Sequence, residues 1–399
     1  MSDIKSSSTQ LSIIGLIAAL MGIGQNGLLV SLPFLVEHSA FSLPTWSILI
    51  AIGSLLFLPA APYWGRQSDQ SGPKRVVIQA LFGMTISFLM LVSFTMLSHL
   101  ESQWVALCLA GLVIARVIYG CTVAGMVPAS QHWAILLCGE GNRVQAITSV
   151  SIGLSTGRLV GPILSIFLLK LSPFAPLMMM VILPAIALLA AFWLPSPTFE
   201  KKEPTDTHTK PSWLSMPERS LLPYLTSGLL LCTVVALLQY NFSPLIGSVT
   251  EWPTSKISDW IGVLLTVGAA FTLGTQVLVI KKKRVSLKAM YQCGAGAMVL
   301  GLTLFLSANV WVFVAAMAIA FSGAALLVPA YTAGATEQNP DAPGATSGFI
   351  SMSHTLGYGL ASLFAVTSTY SPNYPIFIGI SLSTIVLVIS LVVYRSKST

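Results

Sequence analysis

The chain has 399 residues, of which 54% are hydrophobic and only 8% charged, far below the roughly 25% of charged residues in an ordinary soluble domain. The mean hydropathy of +0.81 and the recurrence of apolar runs near the ~20 residues needed to cross a bilayer exclude a soluble enzyme. The formal net charge of +7 is not a nucleic-acid footprint, because the basic residues lie in short segments between those runs. The expected class is an all-α, polytopic membrane protein.

Twelve spans are expected, near 11–36, 44–64, 76–97, 103–128, 145–169 and 175–194, then 222–247, 258–280, 286–307, 309–331, 345–368 and 374–394. The first apolar run is too long for a cleaved leader and lacks a clear cleavage site, so it reads as a span. Within it Gln25 and Asn26 stand among Gly22, Gly24 and Gly27. Such amides either glue helices together or line a cavity. Glu37 closes the span at its outer end.

After the second span comes a polar stretch, Gly65 to Arg75, the densest patch of charge and turn chemistry in the first half. It is expected to be a short loop at the membrane surface. Span four carries Arg116, followed by Tyr119 and Gly120. An arginine at mid-span costs about 2.5–3.5 kcal/mol on insertion scales, so it requires a partner or a water-filled cavity. It reads either as a structural pair or as a substrate or coupling residue. Arg158 in span five poses the same choice. In that span Gly153, Gly157 and Gly161 recur every fourth residue, with Pro162 next. The spacing puts the glycines on one face, where helices approach closely, and the proline invites a bend.

Residues 195–221 are rich in Pro, Ser, Thr and charge, and divide the chain into six-span halves, 1–194 and 222–399. The second half repeats features of the first. A shift of 209 residues lays Gly65, Lys74, Arg75 and Val76 on Gly274, Lys283, Arg284 and Val285. Gln239, Tyr240 and Asn241, followed by Pro244, echo Gln25, Asn26 and Pro33. Asp259 sits near the mouth of span eight. His354 in span eleven is either a packed hydrogen-bonder or a proton carrier.

With both termini on one side, that side holds 16 of the 20 lysines and arginines, which places termini and linker in the cytoplasm. No acid lies deep in any span, so the fixed charge of the membrane interior is positive and suits an anion. The five cysteines show no metal or redox spacing, and neither metal nor cofactor is expected. Two six-span halves are a transporter architecture. A membrane-embedded enzyme would show clustered intramembrane nucleophiles or metal ligands, which are missing from the sequence; a receptor or scaffold would not need the polar stretch after span two.

Three pieces, in this order, resemble the major facilitator superfamily, particularly its twelve-span proton-linked drug and siderophore exporters. Gly65, Asp69, Gly72, Lys74 and Arg75 fill the key positions of the signature loop. The run with Arg116 and Gly120 resembles the second motif, with Tyr119 for a usual Gln and Thr122 for a usual Gly. Gly157-Arg158-Leu159-Val160-Gly161-Pro162 resembles the antiporter motif of span five, with Ser165 and Ile166 where two glycines are usual. The resemblance implies alternating access, with Asp69 gripping neighbouring helix ends when the cytoplasmic side is shut, and Arg116 in coupling or substrate handling. In the second copy of the loop Leu278 replaces the acid, so the latch is expected on the first half alone.

Gly24 to Val30 is also similar to siderophore exporters of bacterial inner membranes. The carboxylate that many proton-coupled drug exporters carry in spans one and four is missing, which leaves Glu37, Asp259 or His354 as proton carriers, or the membrane potential as the driving force. The leading reading is a monomeric exporter of a small organic anion; its rival is a broad-specificity multidrug exporter, and a non-transporting receptor is the reading from another class.

Overall fold

The computed structural model describes residues 2–100, 102–196, 217–280 and 285–395; the linker residues 197–216 and the basic run 281–284 lie outside that set. The described chain is helical, with 13 α-helices: α1 (Ser2–Glu37), α2 (Leu43–Ser71), α3 (Pro73–Leu100), α4 (Val105–Val123), α5 (Met126–Cys138), α6 (Arg143–Leu169), α7 (Ala175–Trp193), α8 (Leu222–Val249), α9 (Thr254–Thr275), α10 (Leu287–Leu304), α11 (Val310–Gln338), α12 (Pro343–Ala365) and α13 (Tyr374–Arg395). Eleven stretches are long and apolar enough to cross a membrane, α4 and α5 together forming one of them. The remaining long helix, α10, has 18 residues and opens on Leu287-Lys288 with Gln292 a turn later, which dilutes its apolarity.

The chain divides into two compact units. The first comprises Met1–Met216 with Asp341–Met352, the second Pro217–Pro340 with Ser353–Thr399. Helix α12 therefore contributes its first turns to the first unit and the remainder to the second.

In the first unit α1 packs along α6, while α3 lies against α4 and α7 and α2 against α4. In a bilayer, helix association rests on close van der Waals packing by small residues, and the α1–α6 seam shows how. A methyl group at Gly153 would overlap the carbonyl of Gly15, one at Gly157 the carbonyl of Ala19, and one at Gly161 would lie 2.9 Å from the Cα of Ile23. Span four is not a single helix. It turns at Ala124–Gly125 and resumes as α5 at Met126, two residues before Pro128; the proline has no N–H to give the carbonyl of Ala124, four residues back. Gly125 fits there because a methyl would meet Trp64 and Val76 at 2.8 Å.

The second unit packs α10 between α11 and α13, with α9 on α11 and α8 on α13. Helix α9 ends in a π-helical turn, Gln276–Ile280, at which the side-chain oxygen of the buried Gln276 has no hydrogen-bond partner.

The expected loop between spans two and three is a helix. Helix α2 continues through the polar stretch to Ser71, and only Gly72 separates it from Pro73, the first residue of α3. Gln67 and Ser71 satisfy each other on the helix surface, through Nε2 to Oγ at 3.1 Å and Oγ to the Gln67 carbonyl at 2.8 Å. The stop comes from Gly72, at φ 88°, whose N–H closes on the Ser68 carbonyl at 3.0 Å. A side chain is disfavoured at that backbone geometry. Polarity alone did not distinguish a loop from a helix that emerges from the bilayer.

Candidate functional site

Helix α12 begins on Pro343, so its first free N–H groups belong to Gly344 and Ala345. Both donate to one carboxylate. Gly344 N–H reaches Asp69 Oδ1 at 2.8 Å, and Ala345 N–H reaches Asp69 Oδ2 at 2.7 Å. Asp69 thus caps a helix remote in sequence, satisfying two orphan donors with a full negative charge at the positive end of the helix dipole. The approach depends on small residues. A methyl at Gly65 would overlap the Gly344 carbonyl, and one at Gly348 would lie 2.5 Å from the carbonyl of Ala61. Arg66 lies 5.2 Å from the centre of the Phe349 ring.

The basic residues of the stretch take other roles. Lys74 Nζ donates to the carbonyls of Phe192 and Leu194, closing the C-terminal end of α7 where a cation is favoured. Arg75 is exposed. Behind Asp69 lies His132 of α5, 3% exposed, with Nδ1 2.8 Å from Ser68 Oγ and 3.5 Å from Asp69 Oδ1.

Arg116 is 4% exposed and points from α4 into α2. Its Nε donates to the Leu49 carbonyl at 3.2 Å, and its guanidinium lies 4.6 Å from the centre of the Tyr119 ring. Gly53 leaves the room: a methyl there would sit 2.6 Å from Nη2. Tyr119 is held between Phe57 and Phe88, with ring centres 5.9 and 5.7 Å away. Nη1 has no hydrogen-bond partner, so this cation is secured by one carbonyl and an aromatic face.

Arg158 differs: near the middle of α6, its side chain is exposed. Its backbone carbonyl is the one that Pro162, four residues on, leaves without a helical donor. Asn26 Nδ2 supplies that donor at 2.9 Å. Asn26, Arg158 and Pro162, read separately in the sequence, form one unit, in which an amide from α1 repairs the break in α6. Gln25 beside it is half-buried.

In the second unit the polar triplet of α8 splits. Gln239 and Tyr240 are exposed at mid-helix, Tyr240 by 55%. Asn241 is buried and donates to the Pro372 carbonyl at 2.7 Å. His354 Nε2 lies 2.6 Å from the hydroxyl of Tyr331. Glu37 is exposed at the end of α1, and the side chain of Asp259, in α9, lies outside the described residues. Among the described residues, no three or more His, Cys, Asp or Glu side chains are grouped as a metal would need. A recess of about 450 Å³ opens between α3, α6 and α7, lined by Met96, Leu168, Phe174, Met178, Ile182 and Leu183 among others; its apolar wall offers a charged ligand nothing.

The family model of the Major Facilitator Superfamily matches residues 14–362. The chain belongs to that superfamily. Its family is one of membrane transporters. An "Uncharacterized MFS-type transporter" of Pseudomonas aeruginosa (strain LESB58) is 33% identical over 101 residues, 25% of this chain and 24% of that protein; a counterpart in strain UCBPP-PA14 matches equally. The match thus spans about a quarter of these curated relatives. Three solved structures share the fold over nearly the whole chain. The human organic anion transporter MFSD10 (TETRAN) aligns with a TM-score of 0.69 at 17% identity, covering 98% of this chain and 100% of that one. The transporter FucP in the outward conformation gives 0.73 at 14%, covering 97% and 99%. A bacterial homologue of the iron transporter ferroportin gives 0.74 at 16%, covering 97% and 98%.

Two features of this superfamily member escaped the sequence reading. His132 gave no signal, because its neighbours Ser68 and Asp69 come from another helix. The Asn26–Arg158 bond was half legible: Pro162 announces an orphaned carbonyl at residue 158, but not which side chain will answer it.

Proposed function

We propose that this transporter exports a small organic anion, of which a carboxylate siderophore is the favoured example, across the bacterial cytoplasmic membrane by alternating access. The observation that carries the reading is Arg158, a guanidinium exposed near the middle of a membrane helix. Facing lipid there would be costly, so the side chain belongs to a water-filled path. The acids support the same sign. Glu37, Asp69 and Glu337 stand within the last few residues of α1, α2 and α11, which leaves the mid-span charge positive. Gln25, Gln239 and Tyr240 supply neutral hydrogen-bonding groups to the path, and Arg116 adds positive potential from behind the wall. Asp69 on the N-terminus of α12 is the latch of the cytoplasm-closed state. Both termini lie in the cytoplasm, and the chain acts as a monomer with its halves, 1–194 and 222–399, moving about the path.

The test is binding to purified protein of a citrate-based carboxylate siderophore and of the lipophilic cation ethidium. The expected result is saturable siderophore binding that Arg158→Ala abolishes. Ethidium binding that survives Arg158→Ala, with no siderophore binding, overturns the anion reading in favour of a multidrug exporter.

A further inference from the structure

The second unit holds a buried polar seam that neither the latch nor the anion path employs. Its inner end is the Tyr331–His354 pair, with the phenol fully buried. Both rings press against α8 at Gly228, where a methyl would lie 3.2 Å from His354 Nε2 and 3.4 Å from the Tyr331 ring. One residue before that contact, Ser227 Oγ lies 2.6 Å from the hydroxyl of Tyr291 in α10. Tyr291 stacks on Tyr224 at 6.3 Å and meets Tyr394 edge-on at 6.4 Å. Tyr224 lies within electrostatic reach of Gln338 and Glu337, at the end of α11. A methyl at Gly334 would lie 2.6 Å from the Tyr224 ring, so the order along α8 (Gly228, Ser227, Tyr224) matches that along α11 (Tyr331, Gly334, Gln338). It leads from an imidazole inside the unit to a carboxylate at a helix end. The titratable groups within electrostatic reach of Tyr331 are Cys232 of α8, Tyr358 of α12 and Tyr291 of α10.

Buried hydroxyls running toward one imidazole carry a cost that phenylalanine, filling the same space without polar groups to satisfy, would avoid. We propose that His354 is the proton-carrying group of this transporter and that the Tyr224–Ser227–Tyr291–Tyr331 seam connects it to the surface at Glu337. In the transfer step the Tyr331 O–H bond breaks as an N–H bond forms at His354 Nε2, and the phenol oxygen takes a replacement proton from the seam. Release runs the same exchange backwards, so no group is oxidised and no charge is left on the phenol. The coupling part of the proposal rests on the transporter reading; the proton site does not depend on the substrate.

The experiment uses full-length protein in nanodiscs with ¹⁵N-labelled histidine. A His354 resonance, assigned by its loss in His354→Gln, is expected to titrate between about pH 5 and 8 and to shift by about half a pH unit or more in Tyr331→Phe. Spin labels at Gln70→Cys and Lys288→Cys, in a background lacking the native cysteines, then read conformation against pH. Their distance distribution is expected to change along the same titration step, to lose that change in His354→Gln, and to keep it in His99→Gln. A His354 signal flat across the range overturns the proton site. A pH response that persists in His354→Gln overturns the coupling. If His354→Gln does not fold, the shift in Tyr331→Phe decides the site. Failure of siderophore binding leaves all these readouts unaffected, so the two proposals fail separately.

Discussion

Replacing Asp69 by asparagine isolates the latch, because it alters charge and one acceptor while keeping shape. In the native site each carboxylate oxygen takes one N–H, from Gly344 at 2.8 Å and Ala345 at 2.7 Å. Hydrogen bonds to a charged group contribute about 1.5–3 kcal/mol each, and an anion at a helix N-terminus about 0.3–1 kcal/mol. Asparagine keeps one acceptor oxygen and turns an NH2 toward the second N–H, so about 2–4 kcal/mol should be lost. At about 1.4 kcal/mol per tenfold, the open form of this contact gains roughly 30-fold to several-hundred-fold in population. Hydrogen exchange in residues 341–352 measures that opening directly, because amide protection follows the local opening equilibrium. The segment should exchange faster by that factor while residues in the α1–α6 seam keep their protection. Turnover should slow and siderophore binding remain. Unchanged exchange in 341–352 together with wild-type flux would refute the latch and reduce Asp69 to a surface cap.

Asn26→Ala should destabilise the protein by about 1–3 kcal/mol by orphaning the Arg158 carbonyl. Pro162→Ala, which restores a backbone donor to that carbonyl, should recover most of the loss in the double variant; a strictly additive cycle in thermal unfolding would contradict the pairing. Gly157→Leu should unseat α1 from α6 and leave little folded protein by fluorescence-detected size exclusion, whereas Gly296→Leu, with open space around it, should behave as wild type. Lys74→Met should free the α7 carbonyls and lower the unfolding midpoint, an effect of about 1–2 kcal/mol; no change in the midpoint would mean that water replaces the lysine without loss.

The helical class and the positions of the long helices were legible because apolar length is a strong local signal, insensitive to which helix packs on which. Helix ends were less legible. Gln67, Ser68 and Asp69 look like loop residues, yet α2 carries them as helix until Gly72 supplies the left-handed turn. The kink after Ala124 was missed in the same way, since its cause, Pro128, lies a full turn downstream. The glycine spacing of α6 predicted a close face but not the partner, which the structure places on Gly15, Ala19 and Ile23 of α1. Side chains of one type diverged most. Arg116 and Arg158 are both mid-span arginines in the sequence; in the fold one is buried against Tyr119 and the other is exposed. That difference is set by helix rotation, which apolar periodicity resolves poorly in helices that are apolar all round.

The position of Arg158 also bears on how an anion could drive the cycle. Its guanidinium is the exposed cation, and its carbonyl is the group that Pro162 releases and Asn26 holds. On the anion proposal, a ligand drawn to the side chain would pull on the residue at which α6 has lost a helical hydrogen bond, beside the seam where α6 rides on α1. Binding and bending then share one residue, and no long relay is required to connect them. For an exported anion the membrane potential would add a further push, since each negative charge leaving a negative interior gains about 2.3 kcal/mol per 100 mV. Arg158→Lys separates the two roles. It preserves the charge but not the geometry of the bidentate fork, so siderophore binding should weaken modestly, while Asn26→Ala in the same protein should slow transport without further loss of binding. If Asn26→Ala abolished binding as fully as Arg158→Ala, the amide would belong to the substrate site itself and the mechanical reading of the proline break would fall.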